Sequence, residues 1–186
     1  LKDGEREKIM TMDCFFCGRA ARRNPQGFNG INRVDHARPW FGWGNVVAAC
    51  KDCNQAKHNH TVEGFVGICR HVATRNGLGD YGLHPECFAD NHSPRSPSSY
   101  LTKTKTHVLT REAFRNITAG DCFYCGKPPR CDATGRHYNG LDRVDSRMRV
   151  YSQASAVACC GTCNTMKWRR EVDAFLGHCR AVAEHA

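Results

Sequence analysis

The chain has 186 residues, with 27 Lys and Arg against 18 Asp and Glu, a formal charge of +9, and 40% hydrophobic residues. That length allows one or two small domains, and the apolar content excludes wholesale disorder. No run approaches the roughly eighteen apolar residues of a membrane span and no secretory apolar segment opens the chain, so a membrane or secreted protein is not expected. A start at Leu1 rather than Met reads as a fragment or processed product.

In chain order, residues 4–10 form a short charged segment ahead of the first C-x-x-C pair, Cys14 and Cys17, which Gly18 follows. The string FNGINRVD at 28–35 comes next: its Asn-Gly reads as a turn and the alternation after it as a strand. A loop with Trp40 and Trp43 then offers packing or a protein interface. A second pair, Cys50 and Cys53, precedes Asn54 and a helical pattern. Val62, Phe65, Val66, Cys69, Val72 and Ala73 recur at helical spacing, the buried stripe of an amphipathic helix. Residues 76–106 are rich in Gly, Pro, Ser and Thr and read as a linker or surface loop, with 100–108 an exposed strand or extended contact.

The same order then returns. Thr110 can cap a helix over 110–117, and Cys122, Cys125 and Gly126 repeat the first pair. YNGLDRVD at 138–145 repeats 28–35, and Cys160, Cys163, Asn164 and Lys167 repeat Cys50, Cys53, Asn54 and Lys57. Val172, Phe175, Leu176, Cys179, Val182 and Ala183 repeat the helical stripe. From Phe28 to Ala73 the offset is a constant 110, with 18 identities in 46 positions, against roughly three expected from average composition. The chain is a duplication.

Eight of the 13 cysteines lie in the four C-x-x-C pairs. A redox or disulfide framework is one reading of such pairs. Sulfurs two residues apart are a poor geometry for structural disulfides and a natural bite for one metal ion. The expected ligands are Cys14, Cys17, Cys50 and Cys53 at one zinc site, and Cys122, Cys125, Cys160 and Cys163 at another. Glycine after each first pair suits a tight zinc knuckle. Cys69 and Cys179 read as core hydrophobes; Cys87, Cys131 and Cys159 have no repeat counterpart and are assigned no role. The expected fold class is α+β: two small zinc-stabilised ββα modules in tandem, at 1–75 and 107–186, joined by 76–106. Zinc-binding thiols imply a reducing compartment: cytoplasm, nucleus, organelle matrix or virus particle.

The combined pattern C-x-x-C-G, Asn-Gly-x-Asp-Arg-Val-Asp and C-x-x-C-Asn-x-x-Lys resembles the zinc-containing HNH endonucleases. It is most similar to the subtype of phages, viruses and mobile elements. The resemblance spans roughly 14–73 and 122–184. It implies a ββα-metal fold and DNA cleavage with one divalent cation, Mg²⁺ or Mn²⁺. By that resemblance Asp142 and Asn164 would hold the cation, Asp145 would stand in the place of the general base, and Arg143 would face the phosphate. The first repeat has Asn32, Asn54, Asp35 and Arg33 at these positions. Two neutral carbonyls hold Mg²⁺ weakly, so the first module reads as degenerate and the second as the working one. The segment 34–39 also looks locally like the usual motif with His36 as base, but the gap-free repeat sets His36 opposite Ser146 and argues against it. His58, His60, His71 and His178 read as solvated or interfacial.

Nucleic acid, DNA or RNA, is the expected partner. Arg147, Arg149, Lys167, Trp168, Arg169 and Arg170 are the expected contacts, by phosphate neutralisation and base stacking. Residues 94–186 carry 15 basic and 8 acidic side chains, against 12 and 10 in 1–93. Each zinc with four thiolates would carry a net charge of −2, lowering the whole chain to about +5. The rival reading is a duplicated HNH fold without catalysis, serving as a structural or nucleic-acid-binding subunit of a large assembly such as a ribosome or virus particle.

Overall fold

The computed structural model describes residues 1–21, 26–88, 109–131, 135, 137–148 and 150–186. The expected extended stretch at 100–108, the Pro/Ser run at 93–99 and Arg149 lie outside the described residues. Two compact units emerge, one of Leu1–Cys87 with Leu176–Ala186, the other of Phe88–Phe175. The division falls inside the C-terminal helix, where the sequence pattern had put a whole second module at 107–186.

In the first unit, α1 (Asp3–Met10) begins where the Glu5 carboxylate accepts the Lys2 amide at 2.8 Å, satisfying an N-terminal donor. Strands β1 (Gly30–Arg33) and β2 (Val46–Ala49) pair antiparallel, Gly30 opposite Ala49 and Arg33 opposite Val46. Ile9 of α1 packs with Val46, Ala48 and Ile31 to cover this hairpin. Helix α2 (Lys51–Lys57) starts directly after Cys50, and α3 (Val62–Arg75) is capped by Thr61 Oγ1, which accepts the Gly64 amide at 3.0 Å. The apolar stripe read from the sequence is buried along α3: Phe65, Val66, Cys69, Val72 and Ala73.

The start of the expected linker belongs to this unit. Its backbone folds back on α3 because two α3 side chains accept its amides, Tyr81 N to Thr74 Oγ1 and His84 N to His71 Nδ1, both at 2.9 Å. A short helical turn, Pro85–Cys87, ends it.

The second unit repeats the order. Thr110 Oγ1 caps α4 (Arg111–Thr118) by accepting the Ala113 amide. A two-residue pairing, β3 (Arg130–Cys131) with β4 (His137–Tyr138), is inserted after the knuckle. Then come β5 (Gly140–Arg143), β6 (Ala156–Cys159), α5 (Gly161–Lys167) and the start of α6 (Val172–His185), whose residues from Leu176 on belong to the first unit. Leu109, Phe114, Leu141 and Ala156 form its hairpin core. The architecture is α+β with two-stranded antiparallel sheets. Among the described residues no helix is long and apolar enough to cross a membrane.

Two local expectations change. The Asn-Gly is no hairpin turn. Asn29 and Asn139 are buried and precede the strands. Asn29 Nδ2 donates to Met12 O at 2.8 Å and Arg19 O at 3.5 Å, and Asn139 Nδ2 donates to Gly120 O at 3.0 Å and Lys127 O at 3.2 Å. Each side chain thus ties the segment after the first helix to the end of the knuckle. Gly30 lies inside β1, where a Cβ would come within 3.2 Å of Asn54 Nδ2. The helical run after each second cysteine pair is also two helices, broken at His58 (φ 45°) and Trp168 (φ 53°). Neither is glycine, so the break stores backbone strain at both points.

Replacing Asn139 by Ala removes the side-chain donor to Gly120 O and one of the two donors to Lys127 O. Denaturant unfolding of the zinc-loaded protein is expected to show a loss of about 1–3 kcal/mol.

Candidate metal centres and the polar ring beside them

Each knuckle is built by the backbone. Gly18 N donates to Cys14 O at 2.8 Å and Cys14 N to Arg19 O at 2.9 Å; Gly126 N donates to Cys122 O at 2.7 Å and Cys122 N to Lys127 O at 2.9 Å. Gly18 (φ 66°) and Gly126 (φ 68°) take the left-handed conformation that closes this turn. The knuckle is fixed to its hairpin by Phe15 N to Ala48 O and Phe123 N to Ala158 O, both 2.9 Å. The second strand then delivers Cys50 or Cys160 as the residue preceding a helix, and the first helical turn supplies Cys53 or Cys163.

The result is two four-sulfur clusters, Cys14, Cys17, Cys50, Cys53 and Cys122, Cys125, Cys160, Cys163, with the sulfurs of each within 4.8 Å of one another. None of the thirteen cysteines, all among the described residues, is in a disulfide. The Cys17–Cys50 and Cys125–Cys160 sulfurs lie 3.8 and 3.7 Å apart. A disulfide needs about 2.05 Å. A tetrahedron with Zn–S bonds of about 2.3 Å has edges of about 3.8 Å. The donor set therefore fits a tetrahedral zinc ion. Without a cation, the sulfurs can only share protons. Hydrogen bonds from Cys17 and Cys125 hold Cys14 and Cys122 far below the usual thiol range, while their partners Cys17, Cys53, Cys125 and Cys163 are pushed up. A divalent ion supplies the positive charge that lets all four ionise.

Beside the second cluster lies a buried polar ring. Asp142 on β5 accepts the Tyr124 hydroxyl at 2.5 Å and pairs with Lys167 Nζ at 2.9 Å. Their side chains are 8% and 0% exposed. Lys167 Nζ also donates to Arg143 O at 3.0 Å and Ser146 Oγ at 2.9 Å. Burial, with the Asp142 charge beside it, pushes the Tyr124 phenol up, so it stays a donor. Tyr124 comes from the knuckle, Asp142 from the hairpin and Lys167 from the helix, so one carboxylate binds all three parts.

The first unit keeps this ring without its charge. Phe16 stands for Tyr124, Asn32 for Asp142 and His36 for Ser146. Lys57 Nζ donates to Arg33 O at 2.9 Å and is fully buried. Asn32 Nδ2 donates to Asn54 Oδ1 at 2.8 Å, while Asn32 Oδ1 and His36 Nε2 are buried without a hydrogen-bond partner among the described residues. Burial, reinforced by the Arg33 charge, lowers Lys57 to about 8. His36 is likewise held low by burial and by the Lys57 charge.

The residues expected at a catalytic site are therefore disposed as follows. Asp142 and Lys167 meet in the ring, and Asn164 anchors the helix to β5 by donating to Leu141 O at 3.0 Å. Arg143 stacks on Tyr151, its Cζ 4.8 Å from the ring centre. Asp145 pairs with Arg147 at 3.0 Å, and that guanidinium holds its carboxyl below the usual range, the wrong direction for a general base. Among the expected nucleic-acid contacts, Lys167 must be corrected: its ammonium is committed to Asp142 and is closed to solvent. Arg147 is exposed but shared by Asp145 and Glu171. Arg170 lies over Phe175 and donates to the carbonyls of Met166 and Lys167. Arg169 stacks on the half-exposed Trp168 at 5.2 Å.

The sequence pattern missed Tyr124, although its exchange for Phe16 accompanies the exchange of Asp142 for Asn32. Asn45, the counterpart of Ser155, is buried and holds its loop through the Asp35, Arg38 and Trp40 carbonyls, while His71 and His178, expected to be solvated or interfacial, are buried.

Geometry and cysteine chemistry define a protein with two candidate four-cysteine zinc modules. The chain is similar to uncharacterized protein R423 of Acanthamoeba polyphaga mimivirus, 26% identical over 183 residues. That match covers 96% of this chain and only 33% of the viral protein, so the chain spans about a third of its relative's length. No protein-family profile matches the chain. No solved structure matches it.

The lowered Lys57 gives a sign for pH dependence. Unfolded lysine keeps its proton up to its ordinary value of 10.5, whereas folded Lys57 loses it near 8. Between these values the unfolded state binds more protons, so stability rises with pH there and the gain is lost as pH falls through about 8. Denaturation midpoints of wild type are expected to rise across that window, and Lys57→Met to flatten the rise.

Proposed function

We propose that this chain is a tandem zinc-module protein of HNH descent that binds nucleic acid and does not cut it. One observation carries the loss of hydrolysis: the Asp142 carboxylate is shared between the Tyr124 hydroxyl and the Lys167 ammonium inside the protein. Mg²⁺ is held through carboxylates that leave room for its waters and the phosphate. A cation at Asp142 would have to displace a buried ammonium and then leave that charge unpaired, at a cost of several kcal/mol. The first unit offers only amides at the matching positions.

Nucleic-acid binding is supported by the second half of the chain. Its basic excess matches a polyanion. Trp168, held outward at a strained backbone position with Arg169 over its ring, is a stacking surface with a cation attached. A base on the free face of Trp168 would place its phosphate within reach of Arg169. The viral relative accords with a source among viruses or mobile elements.

The test is a pair of assays on the zinc-loaded chain. Fluorescence anisotropy with labelled single-stranded and duplex oligonucleotides should show salt-sensitive binding, and Trp168→Ala should weaken single-strand binding roughly 5- to 100-fold. Plasmid and branched DNA with Mg²⁺ or Mn²⁺ should stay uncut. Cleavage that disappears in Asp142→Ala and Asn164→Ala would overturn this reading in favour of a metal-dependent endonuclease acting through the second unit. Binding unaffected by Trp168→Ala would remove the assigned surface.

A further inference from the structure

We infer that His178 is a positioning residue for the first zinc site: its ring N–H donates to the Cys53 thiolate and holds that ligand in the tetrahedron. His178 lies on α6, within the compact unit that also holds Cys14, Cys17, Cys50 and Cys53. Its Nε2 is 3.1 Å from Cys53 Sγ. Both residues are buried, with His178 7% exposed and Cys53 0%. The ring also tilts against Phe65, 6.4 Å between centres, which fixes its plane.

The repeat separates packing from chemistry at this position. The counterpart of His178 on α3 is Ile68, fully buried. A helix of this kind therefore packs with an aliphatic residue there, and the imidazole is not needed to fill space. A buried imidazole costs desolvation unless its nitrogens are bonded. What it gains is a sulfur that carries negative charge when zinc is bound. Four thiolates on one Zn²⁺ leave a net charge of −2 in an apolar surrounding. A neutral N–H donor spreads part of that charge without competing for the metal, since a donating nitrogen has no lone pair to offer. Outer contacts of this type orient ligands and typically change metal affinity 10- to 100-fold.

The second cluster has a different neighbour. Its extra group is Cys159, fully buried, whose thiol lies beside Cys122 and donates to Cys160 O at 3.4 Å. The first cluster has Ala49 at that position. The two sites are therefore inequivalent: imidazole beside Cys53, thiol beside Cys122.

The experiment uses the full chain with both sites loaded. Chelator competition on wild type, His178→Ile and His178→Gln reads the two ions in turn. His178→Ile restores the residue of the sister repeat and deletes the donor; His178→Gln keeps an N–H. The expected result is that one of the two ions becomes 10- to 100-fold easier to remove in the Ile variant, with recovery in the Gln variant. Cadmium NMR of the substituted protein should show one of two resonances shifted in His178→Ile and the other unmoved. Wild-type affinity at both sites in His178→Ile, or equal weakening of both, would overturn the assignment. A measurement on wild type alone keeps the inference open to refutation if a variant folds poorly. Nitrogen NMR of the metal-loaded protein should find a proton on His178 Nε2, and an unprotonated Nε2 would overturn it.

Discussion

Everything in this fold hangs on the convergence of four sulfurs, twice. Each cluster takes two cysteines from a knuckle and two from the junction of a strand with a helix, so the coordination bonds of a metal held there would be tertiary contacts of the module. Among the described residues the clusters under the hairpins are small, four buried apolar residues in the second unit and three in the first. Cores of that size supply little stability alone, and structural zinc is the usual supplement in small modules. The asparagine clamps at Asn29 and Asn139, the left-handed glycines and the amide bridges from Phe15 and Phe123 all serve to hold sulfur at the right separation.

Beside the sulfur clusters, which are alike in the two repeats, the polar ring diverges. In one repeat the ring is ionic and saturated: Asp142 between Tyr124 and Lys167. In the other the hydroxyl, the carboxylate and the small acceptor are replaced together, leaving Lys57 buried among amides and an imidazole. A buried ammonium survives both versions because its stem packs and a main-chain carbonyl receives it, Arg33 O or Arg143 O. The charge pair in the second unit is better explained as a lock between knuckle, strand and helix than as a metal site waiting for its ion.

The periodic parts of this structure were legible in the sequence. C-x-x-C spacing defines which sulfurs meet, and the 110-residue offset defines two copies. Most of each 3.6-residue stripe is buried, Phe65, Val66, Cys69, Val72 and Ala73 on α3 and Phe175, Cys179, Val182 and Ala183 on α6, while Val62, Val172 and Leu176 are half-buried. What could not be read were contacts made by residues far apart in the chain. Tyr124 and Asp142 look unrelated until the hairpin brings them together, and Lys167 looks like a surface cation until its helix turns it inward. Asn-Gly carries a turn signal, yet here the Asn side chain bonds carbonyls ten or more residues upstream and the Gly makes room for another side chain. His178 lies 125 residues from Cys53, and only the fold reveals that it faces a ligand.

The most direct measurement is the zinc content of the intact chain, by native mass spectrometry and elemental analysis. Two tetrahedral thiolate sites predict two zinc ions per chain, falling to one in Cys17→Ser and to one in Cys125→Ser. A folded chain with no bound zinc, or two zinc ions retained in either variant, would contradict the account.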